Sequence, residues 1–121
     1  MYNHRFFFLP YVVETRDVIT DLCSFYAVQL TIDANNPKHE TVECAYSYYN
    51  VATQTSLLQL MKDALIVSKQ KGFDVLYALD VMHNESFFKD LKFKLDYSQM
   101  HYYLYNRLRS ALNPSEFGIA F

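Results

Sequence analysis

Apolar and aromatic positions crowd two early stretches, Phe6 to Glu14 and Ile19 to Ile32, with polar Thr15-Arg16-Asp17 between them. Runs of this length, rich in β-branched and aromatic residues, predict two strands, and the short polar break predicts that they pair as a hairpin. Pro10 has no N–H to give a ladder, so the first strand belongs at an edge or a bulge. Asp33 to Glu40 is polar and carries Asn35-Asn36-Pro37, the chemistry of a turn. Val42 to Val51 predicts a third strand, dense in tyrosine. The period then changes. Leu57, Met61, Ala64, Leu65 and Ser68 fall on one side of a helix over Ser56 to Gln70, capped by Thr55 or Ser56 and stopped by Gly72 at the C′ position. Lys69 and Lys71 suit the negative end of its dipole. Phe73 to Leu79 is a short, nearly continuous apolar run, which predicts a buried strand flanked by helices and reached by an α/β crossover. Asn84 caps a second helix, Glu85 to Leu91, with Phe87, Phe88 and Leu91 turned inward. His101 to Leu108 alternates as a further strand, and Asn113-Pro114 marks a loop. The sum is one α+β domain over residues 1–121, with a mixed, mostly antiparallel sheet flanked by one long and one short helix.

Composition sharpens this picture at two points. The 121 residues include 11 Tyr and 10 Phe but no Trp, and glycine occurs only at Gly72 and Gly118. Such aromatic content suits a substantial sheet, whose tyrosines either pack it or line a groove. The net charge of −2 gives no general pull toward nucleic acid or an anionic membrane. Cys23 and Cys44 have no CxxC spacing and read as buried thiols in a reducing cytosol. The apolar cluster before Pro10 is too short for a signal sequence, and no stretch is long enough to span a membrane, so a cytoplasmic chain is expected.

No self-contained catalytic motif is visible: there is no GxSxG, HExxH or P-loop, and two glycines leave little scope for a phosphate cradle. His4, His39, His83 and His101 stand apart from one another and from the cysteines at metal-ligand spacings, which argues against a metal site. Lys62, Lys69 and Lys71 are the wet face of the long helix.

The stretch from Ala45 to Leu79, AYSYYNVATQTSLLQLMKDALIVSKQKGFDVLYAL, together with YYLYN at Tyr102 to Asn106, resembles the C-terminal half of the N-myristoyltransferase family. Tyr11 to Glu14, Ser24-Phe25-Tyr26, Asn36-Pro37-Lys38-His39 and Leu91-Lys92-Phe93 extend the similarity over nearly the whole chain. The resemblance implies a GNAT-like acyltransferase lobe, the second of two pseudo-symmetric lobes. It implies an enzyme that moves myristate from myristoyl-CoA to an N-terminal glycine, with this lobe supplying the peptide groove. Myristoyl-CoA is then the family's co-substrate and this chain alone binds no cofactor. The implied partners are a glycine-initiated peptide or protein and either the missing N-terminal lobe or a second copy. A divergent half-fold serving as a peptide-binding or dimerisation module is the other reading. A free-standing acetyltransferase fits less well, since the turn Ala52-Thr53-Gln54-Thr55-Ser56 has neither glycine nor positive charge.

The resemblance also implies site residues. The C-terminal carboxylate, here on Phe121, would help deprotonate the glycine ammonium. A carboxylate with an ordinary pKa of about 3.3–3.7 needs burial or geometry to act as such a base. Tyr46 matches a tyrosine that lines the peptide groove. Tyr77 stands where the family usually has an asparagine. Asp96 and Tyr97 lie where a glycine-rich loop carries an aspartate, and Met100 just precedes YYLYN. His39, in Asn-Pro-x-His, reads as bracing its loop.

Overall fold

The computed structural model describes residues 7–31, 35, 41–96 and 98–118, and it divides the chain into two compact units, residues 1–79 and 80–121. In the first unit, β1 (Phe7–Thr15), β2 (Val18–Thr31), β3 (Thr41–Ala52) and β4 (Val75–Tyr77) form one sheet in the order β1-β2-β3-β4. The first two pairings are antiparallel and the third is parallel, so the sheet is mixed and mostly antiparallel, as expected. Helix α1 (Leu57–Gln70) makes the crossover from β3 to β4. Parallel neighbours cannot be joined by a tight hairpin, and the helical connection supplies the return path.

Local chemistry explains each junction. Arg16 and Asp17 close the β1–β2 hairpin with φ of 52° and 63°, the two positive values a primed two-residue turn demands so that its twist matches the strands. Pro10 lies on β1, an edge strand, so its missing donor leaves no gap in a ladder on the outer side. Ser56 caps α1, its hydroxyl accepting from the Gln59 N–H at 3.2 Å. At the other end Gly72, φ 87°, donates to the Lys69 carbonyl at 3.0 Å, and Phe73 donates to Ser68 at 3.1 Å. These two bonds make a Schellman stop. A Cβ at Gly72 would meet nothing within 4 Å, so the cost of a side chain there is backbone strain alone. Gly72→Ala is expected to destabilise the fold by about 1 kcal/mol, with Gly72→Asn milder, read from the midpoint of urea denaturation.

The core lies between α1 and one face of the sheet. Phe25 is 1% exposed and Ala45 is fully buried, and Leu60, Met61, Ala64 and Ser68 are the buried residues of the helix. Tyr11 stacks on Phe25, and Phe73 meets it edge-on at 5.7 Å. Leu57 and Leu65, expected inward, are only half-buried, and Leu60 takes the central place. A bulge in β3 between the Cys23 and Phe25 pairings is filled by Ser24, whose hydroxyl donates to the Tyr49 carbonyl at 2.8 Å and accepts from the Tyr49 N–H at 3.1 Å. Cys23 and Cys44 are buried free thiols. Burial raises both thiol pKa values, helped at Cys23 by the Asp63 carboxylate and at Cys44 by Asp74 and Glu43, so both stay protonated at neutral pH.

Two expected strands differ from what forms. The run Phe73 to Leu79 gives a strand only at Val75–Tyr77, and it is half-buried. Phe73 is used to close the helix, Asp74 is tied by its N–H to the Glu43 carbonyl and by its carboxylate to the Glu43 N–H, and β4 is an edge. His101 to Leu108 forms no strand. Asn106 has φ 55°, which a strand cannot continue, and the described residues of the second unit offer no strand to pair with. Residues 101–110 are exposed instead, with Tyr103 at 89% and Tyr105 at 90%.

In that second unit a short helix α2 (Glu85–Phe88) buries Phe87. The helical turn runs on past α2: Lys92 donates to Lys89, Phe93 donates to Phe88 at 2.8 Å, and Lys92 holds φ 59°. This is a second Schellman stop, with Phe88 against Phe93 as its apolar contact, but with lysine where Gly72 serves in the first. Asn84 is buried yet gives no side-chain cap bond to α2.

Candidate functional site

Strand register assembles a feature that no single segment shows. Phe8 pairs with Tyr26, Tyr26 with Tyr46, and Tyr46 with Tyr77, one residue from each of the four strands. The row lies on the face opposite Phe25, because neighbouring residues of a strand point to opposite sides. Tyr26 and Tyr46 stack at 5.2 Å, and Tyr46 and Tyr77 at 5.0 Å with 26° between planes. Tyr48 meets Tyr26 and Phe8 edge-on at 6.2 and 6.0 Å. The tyrosines of the row are half-buried and Phe8 is 54% exposed. Chemically, such a floor offers flat apolar area to an extended chain, hydroxyl groups at its margins, and ring faces that attract a cation.

Of the residues expected at a site, Tyr46 and Tyr77 are therefore brought together. Asp96 and Met100 lie in the second unit and are exposed, Met100 at 54%, with the Tyr102 hydroxyl donating to the Met100 sulfur at 3.6 Å. Tyr97, His39 and Phe121 lie outside the described residues. Tyr26, Tyr48 and Phe8 were not anticipated. Their signal, aromatic residues on three consecutive strands, becomes readable only with the register.

Asp21 is the other residue the sequence reading passed over, although a lone acid in VITDLCSF is itself a signal. It is 1% exposed. Its Oδ1 accepts from the backbone N–H groups of Thr53, Gln54 and Thr55 at 2.8, 3.1 and 3.0 Å, and its Oδ2 accepts from the hydroxyls of Thr20 and Thr55 at 2.7 and 2.9 Å. The Thr53 hydroxyl also donates to the Thr20 carbonyl. Burial alone would raise the carboxyl pKa, but the hydrogen bonds from Thr20, Thr55 and Thr53 outweigh it and hold the group ionised well below the usual range.

Among the described residues no group of three or more His, Cys, Asp or Glu is placed to hold a metal ion. No helix among them is long and apolar enough to cross a membrane, which says nothing about β-barrels.

A mixed four-stranded sheet with a long crossover helix, and a second short helix in the chain, is an α+β arrangement whose structural neighbours have the GNAT-like fold. The family described as Myristoyl-CoA:protein N-myristoyltransferase, C-terminal domain, matches residues 4–116, and the chain belongs to it. Glycylpeptide N-tetradecanoyltransferase 1 of Arabidopsis thaliana is 68% identical over 107 residues, which is 88% of this chain and 24% of that protein. Glycylpeptide N-tetradecanoyltransferase 2 of Danio rerio is 44% identical over 110 residues, 90% of this chain and 22% of that protein. A crystal structure of Saccharomyces cerevisiae N-myristoyltransferase with bound myristoyl-CoA superimposes with a TM-score of 0.62 at 36% identity, covering 71% of this chain and 24% of that one. The chain thus spans about a quarter of the length of the relatives it matches.

Proposed function

We propose that this chain supplies the peptide-binding lobe of a protein N-myristoyltransferase, which transfers myristate from myristoyl-CoA to the N-terminal glycine of a peptide. The observation that carries this reading is the row Phe8–Tyr26–Tyr46–Tyr77, laid across all four strands and half-accessible, in a chain of this family. An extended substrate lies on such a floor with its alternate side chains against the rings, and its basic groups are attracted to the ring faces. The resemblance extends the substrate-contacting set to Asp96, Tyr97 and Met100. The acyl donor is bound mainly by the remaining length of the family protein, so transfer needs that part or a second copy of the chain. Exposed Leu95, Tyr103, Leu104, Tyr105 and Leu108 support a partner of one of these two kinds.

Calorimetry with a glycine-initiated peptide tests the reading. The chain is expected to bind it, and Tyr46→Ala is expected to weaken binding about tenfold or more, since truncating a central aromatic anchor costs on the order of 1–2 kcal/mol. Unchanged affinity in Tyr46→Ala sinks the groove, and no binding by the unaltered chain sinks the lobe's proposed role.

A further inference from the structure

The turn between β3 and α1 is built as a receptor for an anion. Three successive N–H groups converge on one point just ahead of a helix N-terminus, where the helix dipole also favours negative charge. In a protein related to an enzyme seen with bound myristoyl-CoA, whose donor carries phosphate groups, the question is what this turn holds. It holds Asp21. The carboxylate reaches from β2 and takes all three amides on Oδ1, while the hydroxyls of Thr20 and Thr55 complete Oδ2. The group is 1% exposed, so there is no room beside it for a second anion. The sequence from Val51 to Leu60 contains no lysine or arginine to offset one.

We propose that Asp21 is an internal anion that fills the nest at the β3–α1 turn and so bars the phosphate groups of an acyl-CoA donor from it, leaving this lobe to act through its tyrosine face. The inference deepens the peptide-lobe reading and rests on it for the identity of the donor. Two like charges in one buried pocket repel, and the amides that would bind a phosphate are already spent on the carboxylate. Asp21 is thus a specificity-determining residue, and it touches no substrate itself.

The test is removal and replacement of that anion. Asp21→Ala deletes a carboxylate whose free equivalent is formate. Thermal denaturation of the unaltered chain and of Asp21→Ala is followed in sodium formate, in sodium pyrophosphate and in sodium chloride at matched ionic strength, with the Thr53, Gln54 and Thr55 amide resonances as the local readout. The midpoint of Asp21→Ala is expected to fall, and formate is expected to recover a large part of the loss saturably while shifting those three amides. The unaltered chain is expected to respond to formate and pyrophosphate no more than to chloride. If Asp21→Ala does not stay folded, its refolding yield in formate against chloride is the readout. Equal behaviour of Asp21→Ala in formate and chloride overturns the proposal, as does a pyrophosphate-induced shift of the three amides in the unaltered chain. Peptide affinity measured on the same sample separates this result from failure of the peptide-lobe reading.

Discussion

Phe25→Ala is expected to remove about 3–5 kcal/mol of stability, a large part of what a domain of this size possesses. Phe25 is 1% exposed and holds three elements at once: its own strand β2, Tyr11 of β1 stacked at 5.6 Å, and Phe73 at the foot of α1. Truncation leaves a cavity beside the rings of Tyr11 and Phe73, which lose their shared partner. Tyr26, the next residue, points the other way into the half-buried tyrosine row, so Tyr26→Ala is expected to cost about 1–2 kcal/mol and to act mainly on peptide binding. Urea denaturation of both variants, with slopes compared to confirm an unchanged unfolding surface, reads the difference. A smaller loss in Phe25→Ala than in Tyr26→Ala would reverse the assignment of the two sheet faces.

Replacing Asp21 by asparagine is expected to lower the thermal midpoint by roughly 5 °C or more at neutral pH, because charge-assisted hydrogen bonds to three amides become ordinary ones. The pH dependence identifies the cause. The folded-state pKa of Asp21 lies below the unfolded value, near the ordinary 3.9 for aspartate, so the folded state favours the ionised form. Its contribution is fully present above about pH 4 and is lost as pH falls through the folded-state value. The gap between the two proteins is therefore constant from pH 7 to about 5 and narrows below pH 4. Midpoints measured along this range check it. A gap that instead widened on acidification would mean that the carboxylate is not held ionised.

Most of the scaffold was legible because it depends on local rules. The break at Thr15-Arg16-Asp17, the cap at Ser56 and the stop at Gly72 each require particular residue types, and the hairpin and α1 form where those residues stand. The expected helix over Glu85 to Leu91 has its counterpart in α2 and the Schellman turn at Lys92. Alternation alone was not enough at His101 to Leu108, since a strand needs a partner and Asn106 turns left-handed. The tyrosine row was hidden for a different reason. Phe8 reaches Tyr26 only because the pairing slips between Val13 and Glu14, where Thr20 is the additional residue on β2. Without that bulge the side chain opposite Phe8 would change and the row would not align. Tyr46 was reached by resemblance, whereas its neighbours in the row come from register. Asp21 looked like an isolated acid because its partners lie more than 30 residues away at Thr53 to Thr55.

On this reading the lobe completes an N-myristoyltransferase through its peptide face. The deciding experiment mixes the chain with the separately produced remainder of the Arabidopsis relative and follows transfer from myristoyl-CoA to a glycine-initiated peptide. Transfer is expected with both parts present, none from the remainder alone, and a strong loss when the chain carries Tyr46→Ala. A silent mixture under conditions where the relative's own C-terminal segment restores activity would overturn the reading, as would undiminished transfer by the Tyr46→Ala chain.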